Sequence, residues 1–316
     1  MKTIIHKNIK TFPGHVKHFL SFVEIQTKLA TVFPFLFAIA YVFYRRGTIN
    51  WYSSFLYLIA AVIVDMAITA TNNHFDTRQE EESTPHYNTK LSGILIIIMY
   101  SIASLIGLYL ASYHGIILLL AGVACFAIGL FYTFGPMPIS KSVFGEIFAG
   151  FTCGFLIMFI VVTINDPMFM PVVIMYDANQ FWVNVHIDFV TLVSFGIVTI
   201  PAVFCIANIL LANNICDQEK DRKYRYTLAH HIGTKNALVL FAILYYLSYI
   251  TIIVAVLLGI LPIWTLLTIL TIIPVQKNIT KFNKEQIKQT TFVLSVKNYT
   301  IIMIFFILTL VVSSIV

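Results

Sequence analysis

Read by hydropathy, the chain alternates long apolar runs with short polar ones. The apolar runs cover 26–44, 51–71, 91–112, 116–132, 143–164, 187–212, 237–257 and 261–275, and a last one ends near Val316. About 20 apolar residues suffice for a helix to cross a hydrocarbon layer, so the pattern predicts nine transmembrane helices. Residues 14–24 read as a short surface helix leading into the first span. Tyr113-His114-Gly115 marks a tight turn, and the Gly/Pro-rich TFGPMPISKS after the fourth run cannot be helical throughout. Residues 165–184 form a long connection with two Pro and neither Lys nor Arg.

The informative polar positions close the second and sixth runs. Asn72-Asn73-His74-Phe75-Asp76 is followed by Glu80, and Asn213-Asn214-Ile215-Cys216-Asp217 by Asp221, so N-N-x-x-D-x-x-x-D/E occurs twice. On a continuous helix Asp217 and Asp221 would share a face, roughly 6 Å apart, and two such carboxylates repel unless a cation lies between them. Mg²⁺ binds through one or two carboxylates plus substrate phosphate oxygens, and Asn adds a neutral oxygen donor. The expected metal set is Asn72, Asp76, Glu80, Asn213, Asp217 and Asp221, with Glu82 an alternative to Glu80. Cations there would neutralise charge on a departing diphosphate. Arg78, Arg222, Lys223 and Arg225 suit phosphate oxygens, although each single one also reads as topology-setting charge. Lys28, at the start of a span, reads equally as a diphosphate contact and as a snorkelling side chain. Asp65 lies on the face of Asn72 and Asp76 but deeper, as a functional acid or as a bond to a neighbouring helix.

Composition and charge placement agree with a membrane protein. The 316 residues are 59% hydrophobic and 11% charged, with mean hydropathy +0.87, whereas soluble domains run near 25% charged. With the N-terminus inside, every Lys and Arg except Arg45 and Arg46 falls on the inner side, which sets the orientation and puts both acidic motifs on the cytoplasmic face of the cell membrane. The start of the chain, without a compact apolar core and cleavage site, reads as a retained segment. The division expected is 1–25 as a cytoplasmic segment and 26–316 as one membrane domain with motif loops at 72–90 and 213–233. The fold class is an all-α integral membrane protein: two parallel four-helix halves plus a ninth helix around a central cavity. The scattered Cys125, Cys153, Cys205 and Cys216 indicate neither a disulfide framework nor a zinc site.

The paired motifs resemble those of UbiA-type intramembrane prenyltransferases, and the run Asp217-Gln-Glu-Lys-Asp221-Arg with Thr227-Leu-Ala…Gly233 is near the family form. The turn after the fourth run narrows the resemblance to the 1,4-dihydroxy-2-naphthoate branch, through Tyr132, Gly135, Pro136, Pro138, Gly145 and Glu146. Glu24-Ile-Gln-Thr-Lys28 is similar to the family's first span. Asn73 stands where the family has Asp, and Lys141 where that branch often has Tyr.

The resemblance implies Mg²⁺-dependent transfer of a polyprenyl group from its diphosphate to dihydroxynaphthoate with loss of CO₂, giving demethylmenaquinone. It implies Lys28, Arg78, Lys141, Arg222 and Tyr132 at the diphosphate. Asp76, Asp217 and Asp221 carry the catalysis, with Glu146 accepting a hydrogen bond from a phenolic hydroxyl. The partners implied are the polyprenyl diphosphate, an aromatic acceptor and the bilayer, not nucleic acid; oligomeric state is open. Other acceptors (4-hydroxybenzoate, homogentisate, a porphyrin), a secondary transporter and a non-catalytic homologue are the competing readings.

Overall fold

The computed structural model describes residues 14–76, 89–135, 138–177, 182–221 and 225–315. Within them, nine helices are long and apolar enough to cross a membrane. A surface helix α1 (Gly14–Phe22) precedes α2 (Leu29–Arg46), α3 (Trp51–Asp76), α4 (Thr89–His114) and α5 (Ile116–Thr133). Then come α6 (Gly145–Asn165), a hairpin of β1 (Val172–Asp177) and β2 (Trp182–Ile187), and α7 (Phe189–Cys216). The chain ends with α8 (Leu228–Leu257), α9 (Ile263–Lys284) and α10 (Phe292–Ser313).

Two expectations change here. The fold is the expected all-α membrane bundle, but part of the connection predicted over 165–184 is an antiparallel hairpin in which Val172 pairs with Ile187 and Asp177 with Trp182. Its β-branched and aromatic residues favour the pleated surface. The acidic motifs, in turn, do not begin as loops. Helix α3 has 26 residues, roughly 39 Å of rise, and α7 has 28. Both are longer than a hydrocarbon core of about 30 Å, and Asn72–Asp76 and Asn213–Cys216 are the last turns of these helices.

At the opposite end Asp188 caps α7, accepting from the Thr191 amide at 3.1 Å and its hydroxyl at 2.7 Å. These bonds hold its carboxyl below the ordinary carboxylate range. The buried Asp166 meets Arg46 at 3.5 Å and Arg45 at 3.9 Å. Asn165 accepts from the Asn50 amide at 2.8 Å and its own amide donates to Ser54 at 2.8 Å. These bonds tie the end of α6 to the α2–α3 turn.

Packing follows from small residues. Helix α7 lies along α8, α3 along α4, and α10 against α2, α7 and α9. The middle of α6, Gly150–Leu156, is a π-helical segment against α7. A Cβ on Gly150 would stand 2.6 Å from the Val203 carbonyl oxygen, and one on Gly154 2.6 Å from the Val203 backbone. Two glycines four residues apart thus let the backbones touch, as in small-residue crossings of membrane helices. In α9 the first stretch, Ile263–Thr271, is a 3₁₀ helix. Its period of three puts the buried Thr265, Thr268 and Thr271 on one face, where Tyr249 and Thr309 reach Thr271 and Thr268.

Gly154→Val would drive a branched side chain into the Val203 backbone. The expected loss is about 1–3 kcal/mol of stability, measured as a lower melting temperature of the detergent-solubilised protein. Melting like the parent would show that α6 and α7 do not meet there.

Candidate active site

The second acidic motif is the best-built polar site. Asn213 and Asp217 stand four residues apart at the end of α7, where the Asp217 amide still bonds to the Asn213 carbonyl at 3.1 Å. Asp217 terminates that helix, and a one-turn helix, Gln218–Asp221, follows. Asp217 and Asp221 therefore do not share one continuous helix, contrary to the expectation from spacing. Asn213 Oδ1 and Asp217 Oδ2 both accept from the ammonium of Lys288, which arrives from the link between α9 and α10.

The segment after the motif is pinned by bonds no spacing rule announced. The His230 Nε2 faces the Gln218 carbonyl at 2.8 Å, and its Nδ1 faces the Thr227 hydroxyl at 2.9 Å. A carbonyl only accepts, so Nε2 donates to it. Gln218 donates to the Ala229 carbonyl at 3.1 Å and accepts from Thr234 at 2.6 Å. Gly233, at φ 77° and ψ 156°, breaks the start of α8 from the rest in a conformation open to glycine. The Tyr226 amide donates to the Lys141 carbonyl at 3.0 Å, joining this segment to the turn after α5.

One residue beyond Asn213, Asn214 points into the bundle and donates to Glu146 Oε1 at 2.9 Å. Both side chains are buried, and among the described residues neither Glu146 Oε2 nor Asn214 Oδ1 has a hydrogen-bond partner. Glu146, Gly150 and Gly154 recur every four residues, so the glycine approach to Val203 is what brings Glu146 to α7. Tyr132, in the last turn of α5, is half-buried.

At the first motif, Asn72 is half-buried, and the buried Asn73 donates to the Phe22 carbonyl at 2.8 Å. That bond ties α1 to α3 and needs a donor, which an ionised aspartate at this position could not supply. Asp76 ends α3 and Asp221 ends its short helix, but their side chains, with Arg78, Glu80, Glu82, Arg222 and Lys223, lie outside the described residues.

Lys28 corrects an expectation. It is 3% exposed, and its three ammonium protons go to Asp65 Oδ1 at 2.7 Å, the Asp65 carbonyl at 3.0 Å and Thr69 at 2.6 Å. Thr31 donates to Asp65 Oδ2 at 2.6 Å. Lys28 therefore does not snorkel; in low dielectric the nearest carboxylate takes it. The same bonds give Asp65 its role, as a clasp between α2 and α3.

Among the described residues no group of three or more His, Cys, Asp or Glu converges as a metal site. Mg²⁺ does not require one, since it retains several waters beside one or two carboxylates. The convergence of Asn213 and Asp217 on a single positive centre shows that these two hard oxygens can share a cation.

The profile of the UbiA prenyltransferase family matches residues 31–312, nearly the whole membrane-spanning part. The chain belongs to the UbiA prenyltransferase family. Family membership and the nine apolar helices make it a multi-pass membrane protein. Over 149 residues it is 33% identical to 1,4-dihydroxy-2-naphthoate octaprenyltransferase of Bacillus subtilis (strain 168), a match spanning 47% of this chain and 41% of that protein. A UbiA homologue from Archaeoglobus fulgidus, bound to GPP and Mg²⁺, shares the fold at TM-score 0.64 and 14% identity, over 95% of this chain and 100% of that one. A digeranylgeranylglyceryl phosphate synthase does so at TM-score 0.62 and 18% identity, over 95% and 98%.

In this UbiA-family chain, sequence reading missed Lys288 and His230. Lys288 is one of five Lys in a basic stretch from 277 to 297, and nothing in its neighbours sets it apart. His230 lies in the pair His230-His231 beside the motif, a signal that was there to use.

The Lys28–Asp65 clasp makes a stability prediction. Lys28→Met leaves a mostly buried carboxylate without its cation and is expected to cost about 3–5 kcal/mol. Adding Asp65→Leu should restore most of that. Thermal melting of the two variants checks it, and a Lys28→Met protein as stable as the parent would show that the clasp holds nothing.

Proposed function

We propose that this protein transfers a polyprenyl group from its diphosphate to 1,4-dihydroxy-2-naphthoate, with Mg²⁺ as cofactor, at the cytoplasmic face of the cell membrane. The observation that carries the reading is that Asn213 and Asp217 converge on one positive centre, while the next residue, Asn214, reaches Glu146 inside the bundle. A cation-holding pair and a buried polar pair thus adjoin at the end of one helix. Diphosphate departure needs the first, and recognition of a phenolic acceptor fits the second.

Bound Mg²⁺ would be held by Asn213, Asp217 and Asp221, and by Asn72, Asp76 and Glu80 of the first motif, and would supply charge neutralisation for the departing diphosphate. Arg78, Lys141, Arg222 and Tyr132 would contact the diphosphate as well. The C1–O bond of the prenyl chain breaks with its electron pair going to the diphosphate, leaving an allylic cation. The ring carbon bearing the carboxylate forms the new C–C bond, its bond to the carboxylate breaks, and CO₂ departs. The product is the quinol form of demethylmenaquinone. Among the described residues Glu146 Oε2 and Asn214 Oδ1 are buried acceptors without donors, and a ring hydroxyl would satisfy one of them. The identity to the Bacillus subtilis octaprenyltransferase supports this acceptor over other phenols.

Purified protein is expected to prenylate and decarboxylate dihydroxynaphthoate only when Mg²⁺ is present, and to leave 4-hydroxybenzoate and homogentisate unaltered, by mass spectrometry of the products. Asp217→Ala should lose at least about 10²-fold in turnover. Full activity of that variant would remove the metal role from this motif.

A further inference from the structure

The second motif meets a cation from a part of the chain that the proposed reaction leaves unused. Lys288 sits between α9 and α10, in a link whose backbone is fixed by its own bonds. The Thr291 hydroxyl accepts from the Ile287 amide at 2.8 Å. The Ile287 carbonyl takes the amides of Thr290, Thr291 and Phe292 at 2.8 to 3.2 Å. Gln286 donates to the carbonyls of Phe282 at 2.7 Å and Asn283 at 3.0 Å. From this scaffold the Lys288 side chain crosses to α7, bonds Asn213 and Asp217, and keeps its ammonium 5.2 Å from the centre of the Phe292 ring.

We propose that Lys288 is the exchangeable counter-cation of the second acidic motif, holding Asn213 and Asp217 until a divalent cation takes them and then serving the diphosphate that arrives with it. The inference rests on the proposed metal role of these two residues. Asp217 stands part-buried at the mouth of an apolar bundle, where a carboxylate without a counter-charge is costly. The ammonium supplies that charge.

A divalent cation coordinates such oxygens at about 2.1 Å, so it and the ammonium cannot use the same lone pairs, and two cations that close repel. Lys is suited to stepping aside, because its charge is a compact point on a flexible four-carbon stem rather than a rigid fork. The anchored Lys288 backbone keeps the released ammonium at the mouth. There the oxygens of a diphosphate are its next acceptors. No covalent bond changes; one cation replaces another on the carboxylate.

The two halves of the proposal have opposite signs, which separates them from a merely structural role. The full-length protein in detergent is titrated with Mn²⁺ alone, read by electron paramagnetic resonance, in the parent, Lys288→Met, Lys288→Gln, Lys288→Arg and Asp217→Asn forms. Removing the competing charge in Lys288→Met or Lys288→Gln is expected to tighten Mn²⁺ binding about two- to tenfold, and Lys288→Arg to leave it near the parent value. Inorganic pyrophosphate is then titrated by calorimetry at saturating Mg²⁺. Here the uncharged variants are expected to bind about two- to tenfold more weakly.

Unchanged or weaker Mn²⁺ binding in the uncharged variants, or pyrophosphate binding equal to the parent, overturns the proposal. If Asp217→Asn loses Mn²⁺ while Lys288→Met binds as the parent does, Lys288 fails and the metal role of the motif stands. If Asp217→Asn binds like the parent, both fall.

Discussion

A charged or polar group at the edge of a hydrocarbon layer must find its partner within the protein, and this structure is arranged around that requirement. Lys28 is held by Asp65 and Thr69, Asp166 by Arg45 and Arg46, and Asp217 by Lys288. Each contact crosses from one element to another, so meeting the electrostatic demand also fixes helix positions. Among the described residues several buried polar atoms have no such partner, and two of them, Glu146 Oε2 and Asn214 Oδ1, adjoin the second motif.

The glycines of α6 connect packing to chemistry. Without a Cβ at Gly150 and Gly154, α6 rests directly on the α7 backbone at Val203. That approach carries Glu146 to Asn214, one residue from the Asn213–Asp217 pair. Two helices meeting closely in mid-bundle therefore set the geometry at its mouth. The bonds from His230 and Gln218 then hold the chain beyond Asp217 against the start of α8, so the acids sit on anchored backbone rather than in a free loop.

Asn73 shows how one position can answer to two demands. In the repeat it looks like a weakened metal ligand, but its amide donates to the Phe22 carbonyl and docks the surface helix. The departure from the usual aspartate is explained by a contact 51 residues away in the chain. Lys28 is a parallel case: its place at the start of a span is compatible with snorkelling, and the carboxylate of Asp65 holds it inside the bundle.

The sequence by itself determined the nine spans, the placement of charge and the paired motifs, because an apolar run of bilayer length and a repeated polar spacing are properties of neighbouring residues. The hairpin of Val172–Asp177 and Trp182–Ile187 has its local signal too, in β-branched and aromatic residues on both strands. Only the tertiary structure decided which cation met which acid. Lys288 is 71 residues from Asp217, and Lys28 is 37 from Asp65. Spacing along a chain cannot choose among twenty cations that helix packing alone brings near or keeps apart, since Coulomb energy depends on distance and local dielectric rather than on order in the sequence.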